Sequence, residues 1–255
     1  MGLVDSLGVQ SGEMVSLIGA GGKTTTLFQL AKELRESGGK VLVTTTTKIF
    51  KPNKPHVERL FLVQDVKALI AEIRNIPRPA VIGAGYGVDD EGKLLGLAVP
   101  WLDDIKKNAA LDAILVEADS AASRLFKVPS ELEPVVPKFT DLVIWSMAIK
   151  AVGKPLDANS VHRAERALSL LGVAPGTILT QEHVIHLLAH RDGCLRALPA
   201  GSRKVALINQ ADSPVEIEAA QKLARALMPL GFERAVIASF LSDQAVKNVT
   251  SNDTQ

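Results

Sequence analysis

A single cysteine, Cys194, stands in 255 residues, which excludes an intrachain disulfide framework and a Cys-rich zinc site. Excess charge is equally scarce, with 29 Lys plus Arg facing 28 Asp plus Glu. Aromatic rings are few: seven Phe, two Trp and one Tyr. A nucleic-acid binder usually needs a basic face and stacking rings, so that class drops out. No stretch approaches the roughly 18 uninterrupted apolar residues of a membrane span, and the opening MGLVDSLGVQSGEM carries an early acid in place of an apolar signal core. The expectation is a cytoplasmic chain with neither nucleic acid nor membrane as a partner. What is plentiful is aliphatic: 47% hydrophobic and 22% charged residues are ordinary for a domain that buries a core.

Short runs rich in Val, Ile and Leu alternate with longer segments of helical period. The runs at 14–19, 40–45, 59–63, 80–83, 111–117, 142–146, 204–209 and 235–239 read as strands, mostly continuous and apolar, as strands buried on both faces are. Segments 24–37, 65–74, 160–171, 181–190 and 215–228 read as helices, the last opened by Ser213-Pro214 and the fourth preceded by Thr180. The order predicts an α/β, doubly wound, mostly parallel sheet with helices on both faces, of the phosphate-loop NTPase type. It covers residues 1–242 as one domain, with the helical part near 153–200 a candidate small lobe and 243–255 a frayed polar tail. Gly83-Ala-Gly-Tyr-Gly87 lacks the third glycine of a dinucleotide fingerprint and reads as a hairpin.

The strongest motif is Gly19-Ala20-Gly21-Gly22-Lys23-Thr24-Thr25, between the first strand and the first long helix. Leu17 occupies the place of the usual first glycine, so the loop is the shorter Gly-x-x-Gly-Lys-Thr form also found in Mur-type ligases. Glycines let backbone N–H groups converge on phosphate oxygens, a helix N-terminus adds partial positive charge, Lys23 reaches outer phosphates and Thr24 ligates Mg²⁺. A second run, 111–117, ends in Glu117-Ala-Asp119, two carboxylates at i and i+2. Here Asp119 is the expected Mg²⁺ partner and Glu117 the group that orients water or substrate; an acidic turn cap is the plainer alternative.

Two further strand ends bear on specificity. Asn209-Gln210-Ala211-Asp212 is one substitution from the Asn-Lys-x-Asp by which G proteins hold guanine. The Asp212 carboxylate can accept from a guanine N1–H and amine, or merely help Ser213 cap the next helix. Thr44-Thr45-Thr46-Thr47-Lys48 can present Thr46 and Lys48 to a γ-phosphate, or can simply be a β-branched strand end.

Taken with Arg124, Lys127-Val-Pro129, Glu133-Pro134, Gly153-Lys-Pro-Leu156 and Val161-His162-Arg163, these motifs follow one another as in a known family. The chain resembles the YqeC proteins, described as accessory factors of selenium-dependent molybdenum hydroxylases. Ser120 stands where the family has glycine, and Gln210 where it has lysine. The resemblance implies a phosphate-loop nucleotide-binding fold and a role in maturing a selenium- or molybdenum-dependent hydroxylase or its cofactor precursor.

Arg124, Lys127, His162 and Arg163 form a candidate second site, where cations would meet a phosphate, a pterin-linked phosphate or a selenium oxyanion. His183, His186 and His190 share one helical face, and Cys194 has cationic sequence neighbours that can lower a thiol pKa. The leading reading is Mg²⁺-dependent binding and slow hydrolysis of GTP or ATP, GTP slightly preferred, in enzyme maturation. An ATP-dependent kinase or ligase acting on a small anion, and a non-catalytic nucleotide-gated module, are the alternatives.

Overall fold

The computed structural model describes residues 1–242 and 244–251. Nine strands form the main sheet: β1 (Glu13–Gly19), β2 (Lys40–Thr45), β3 (Arg59–Leu62), β4 (Ala80–Gly85), β5 (Ala113–Glu117), β6 (Leu142–Ala148), β7 (Arg203–Asn209), β8 (Arg234–Ala238) and β9 (Val246–Ser251). Their spatial order is β9-β8-β7-β6-β1-β5-β2-β4-β3, parallel throughout except for β9, which runs antiparallel to β8. Strand β1 is central. The strands of the first half lie on its β5 side and those of the second half on its β6 side, so the chain reverses direction at β1, and ligands bind parallel sheets at such switch points.

The helices are α1 (Leu3–Leu7), α2 (Lys23–Glu36), α3 (Val66–Asn75), α4 (Val99–Asn108), α5 (Ala164–Leu171), α6 (Gln181–Ala189) and α7 (Pro214–Leu227). Side chains alternate across the sheet, as the strand period of two requires. From β1, Met14 and Ile18 enter a core shared with α3 to α7, while Val15 and Leu17 enter one shared with α1 and α2. Ser16, the buried polar residue between them, shares a 2.9 Å hydrogen bond with Thr140.

All eight expected strands are present, with ends shifted by one or two residues. Several segments differ from expectation. Of the tail expected at 243–255, residues 246–251 pair with β8 as an edge strand, while 243 and 252–255 lie outside the described residues; the half-buried, Thr- and Asn-containing strand reads as polar because only one edge needs a partner. The helix expected from residue 160 begins at Ala164, because Val161 and His162 are drawn into a two-residue pairing with Phe126 and Lys127. Helix α4, with proline in its first turn and only Leu102 and Ile105 buried, carries too short an apolar stripe to stand out. Gly87–Val88 and Lys93–Leu95 do form the expected hairpin, to which Lys48–Phe50 adds a third strand. Helices α6 and α7 begin with capping boxes built on Thr180 and Ser213.

Trp145 on β6 is 1% exposed, edge-on to Phe126 at 6.3 Å and tilted against Phe232 at 6.1 Å. Trp145→Ala is expected to cost about 3–5 kcal/mol of unfolding free energy, measurable by urea denaturation; a loss below about 1 kcal/mol would contradict this packing.

Candidate functional site

The loop that follows β1 lies flush against the end of β6. Gly19 has φ +90°, and a Cβ there would stand 2.2 Å from the Ser146 carbonyl oxygen; Gly21 has φ +72° and would clash equally with the Ala148 nitrogen. Both positions therefore exclude a side chain on two counts. The amide of Gly19 donates to Asp119 Oδ2 (3.0 Å), that of Ala20 to the Ser146 carbonyl (2.8 Å) and that of Gly21 to the Arg124 carbonyl (3.1 Å). The amides of Gly19 and Gly21 thus face protein, while Gly22, the third glycine of the run, lines the cavity described below. The first-turn amides of α2, at Lys23, Thr24 and Thr25, are those a helix leaves unpaired, and they carry its positive dipole end.

Lys23 is buried at 4% exposure. Its Nζ donates to the Gly19 carbonyl at 2.7 Å and lies 3.0 Å from Asp119 Oδ1 and 3.7 Å from Glu117 Oε1. Burial pushes the amine down, but Asp119 and Glu117 together hold its pKa above the ordinary lysine value. The two carboxylates, alike in the sequence, part company in space. Glu117 accepts from the Thr24 hydroxyl at 2.7 Å and lines a cavity of about 790 Å³ with Gly21, Gly22, Lys23, Thr24 and Thr25. Asp119, 2% exposed, lies behind the loop, held by the Gly19 amide and by Lys127 Nζ at 3.1 Å, and it does not line the cavity. The carboxylate beside Thr24 is thus that of Glu117, whereas Asp119 is the one expected to hold Mg²⁺.

Of the four residues assigned to a second site, only Arg124 reaches this cavity, across from α2. Lys127 is no free cation: fully buried, its amine contacts Asp119, Glu133 Oε2 (2.9 Å) and the Ser120 carbonyl. Arg163 closes the chain on Glu133 at 2.7 Å, and Lys127 and Arg163 hold that carboxyl below the usual range although burial opposes them. Burial, then the Arg163 and Lys127 charges, lowers His162 to about 4, so it is neutral at pH 7. Glu133, the hub of these contacts, is marked in the sequence only by the family motif Glu133-Pro134 in a Pro-rich loop, with nothing local to give it a role.

Lys48 lines the cavity and pairs with Asp89 at 2.9 Å, whereas Thr46 turns away and donates to the Val135 carbonyl at 2.7 Å. Asn209 braces the loop, donating to the Gly21 carbonyl at 2.9 Å. Gln210, with φ +58°, lines the cavity, but Asp212 does not. Its carboxylate is taken by Lys150 and by the Ser239 hydroxyl (2.6 Å), which lower its pKa. The cap of α7 is made by Ser213 and Glu216, not by the Asp212 carboxylate.

The remaining candidates are structural. His183 completes the α6 capping box, His190 Nδ1 accepts from the Asp192 amide, and among the described residues no cluster of His, Cys, Asp or Glu suits a metal ion. Cys194 is buried with its Sγ against the Lys127 carbonyl, and burial drives its pKa up, not down, so the thiol stays protonated. No helix among the described residues is long and apolar enough to cross a membrane.

Burial also raises the Glu117 carboxyl above its ordinary pKa, Lys23 and Thr24 offsetting only part of the effect. A raised carboxyl binds its proton more tightly in the folded chain than in the unfolded one, so stability falls as pH rises through that interval. Glu117→Gln, which keeps an acceptor for Thr24 and carries no charge, is therefore expected to stabilise the ligand-free protein at pH 7, with the gain vanishing as pH falls to the ordinary carboxylate value. Urea melts at pH 4 and pH 7 measure this, and a destabilised variant at pH 7 would contradict it.

The sequence matches the model of the YqeC protein family over residues 15–165. It is also 32% identical over 209 residues to the uncharacterized protein YqeC of Escherichia coli (strain K12), a match that spans 82% of this chain and 80% of that one. The matched region holds the loop after β1, Glu117, Asp119 and the Lys127–Glu133–Arg163 contacts, and the chain belongs to the YqeC family.

Proposed function

We propose that this protein binds a nucleoside triphosphate with Mg²⁺ and hydrolyses it slowly, as a step in maturing a selenium- or molybdenum-dependent hydroxylase or its cofactor. One observation carries the nucleotide reading: Lys23, Thr24 and Glu117 meet where the N-terminus of α2 opens into the 790 Å³ cavity. The maturation role rests on the family resemblance.

A hydroxyl and a carboxylate 2.7 Å apart, both oxygen donors, suit Mg²⁺, which keeps most of its waters and needs few protein ligands beside the phosphates. When bound there, between Thr24 and Glu117, the ion would neutralise charge on the outer phosphates. The first-turn amides of α2 would accept the phosphate oxygens. Lys23, released from its two carboxylates, would turn its amine toward the outer phosphates, leaving Asp119 still balanced by Lys127. Arg124 would close the cavity from the opposite side. Glu117, or a water held by it, would orient the attacking water. Positioning and charge neutralisation supply catalysis of this kind, and its turnover is slow without further donors.

Asp212 is occupied by Lys150 and Ser239, so the site has no free carboxylate turned to a guanine edge. ATP and GTP are accordingly expected to serve about equally. The second reading, group transfer to a small anion, is favoured by a cationic groove that adjoins Thr24 and Thr25.

Phosphate release from MgATP and MgGTP tests the reading. The wild-type protein should turn over both slowly, at rates within about threefold of each other and dependent on Mg²⁺. Lys23→Ala and Glu117→Gln should each lose about a hundredfold or more, while Asp212→Ala leaves the ratio of the two nucleotides unchanged. Turnover that survives both site substitutions would overturn the assignment of these residues.

A further inference from the structure

Against the outer side of α2 lies a second cavity, of about 1010 Å³, walled by Phe28 to Glu36 on the helix and by 50–58 on the segment after the Lys48–Phe50 strand. It shares Thr24, Thr25 and Phe50 with the nucleotide cavity, so the two are neighbours across one wall. Two features set its chemistry. Phe28 and His56 stack with ring centroids 4.4 Å apart and planes at 23°, and Phe50 stands 70% exposed at the shared rim. Charge is the other: Lys32 pairs with Glu36 at 3.9 Å and Arg35 with Glu58, which accounts for the lining carboxylates and leaves Lys51 and Lys54 without one among the described residues.

An exposed imidazole stacked on a half-buried phenyl ring, beside two unneutralised amines, is a favourable surface for a ring that carries negative charge. We propose that this groove binds a planar heteroaromatic anion, alongside the nucleotide and not in its place. The ring extends the Phe28–His56 stack, its anionic substituent meets Lys51 and Lys54, and the shared wall brings it beside Thr24 and Thr25. The groove's occupancy does not require the proposed nucleotide chemistry; the simultaneous occupancy of both cavities does.

Fluorescence titration of the intact protein with pterin-6-carboxylate and with FMN tests the proposal, with riboflavin as the same ring without phosphate and inorganic phosphate as the charge without a ring. At least one of the two anionic probes should bind saturably. If FMN is the binder, riboflavin should bind about tenfold more weakly; inorganic phosphate should fail to compete below millimolar concentration. His56→Ala and the double variant Lys51→Glu/Lys54→Glu should each weaken the probe about tenfold or more. All three positions are solvent-exposed, so the fold is not at stake. Saturating MgATP should change the probe's dissociation constant by less than about threefold. Absence of saturable binding by either probe, or binding indifferent to both variants, would overturn the proposal. So would competitive displacement by ATP, which would make the groove the seat of the nucleobase. A protein that binds a probe but no nucleotide would overturn the proposed function and leave the groove's ligand class standing.

Discussion

The site depends on one buried amine. Lys23 sits between Glu117 and Asp119 with almost no access to water, and a charge in that position is tolerable only while its neighbours compensate it. Two carboxylates against one cation would leave an excess, which Lys127 balances from behind, and Lys127 in turn holds Glu133, which holds Arg163. The result is an alternating series of three acids and three bases running from the loop after β1 toward the surface. It explains why Lys127 is fully enclosed although a lysine in a Pro-rich loop reads as solvated. It would also leave Asp119 balanced were Lys23 to turn toward a phosphate, as the proposed function requires.

The sheet fixes where this series begins. Parallel pairing sets Leu17 of β1 against Glu117 of β5 on one side and Gly19 against Ser146 of β6 on the other. The loop therefore leaves β1 with a carboxylate strand to one side and a backbone wall to the other. Glycine is required where the loop touches that wall, while the amides of Gly19, Ala20 and Gly21 go to Asp119, Ser146 and Arg124. The first turn of α2 keeps its amides unpaired by the helix itself, so under the proposed function the phosphates would be held chiefly by the helix that the glycines position.

Much of this was legible in the sequence, because the signals were local. Continuous aliphatic runs marked every buried strand, and the glycine-lysine-threonine run between strand and helix marked the site. What escaped depends on contacts distant in sequence. Glu117 and Asp119 differ only in which partner the fold brings, Thr24 for one and the back of the loop for the other, some hundred residues away. Asp212 reads as a base-recognising carboxylate until Lys150 and Ser239 arrive from two other strand ends. Cys194 reads as activated by its sequence neighbours and is instead buried beneath Lys127. The edge strand β9 is polar because an edge needs hydrogen-bond register more than apolar side chains.

The central claim is that Lys23 and the N-terminus of α2 form a seat for the phosphates of a nucleotide. Calorimetric titration of ATP and GTP, with and without Mg²⁺, into the wild-type chain and into Lys23→Ala tests it most directly, with circular dichroism to verify that the variant is folded. The account predicts one saturable site, tightened by Mg²⁺ and lost in the folded variant. No heat with either nucleotide, or the same affinity without Lys23, would contradict it.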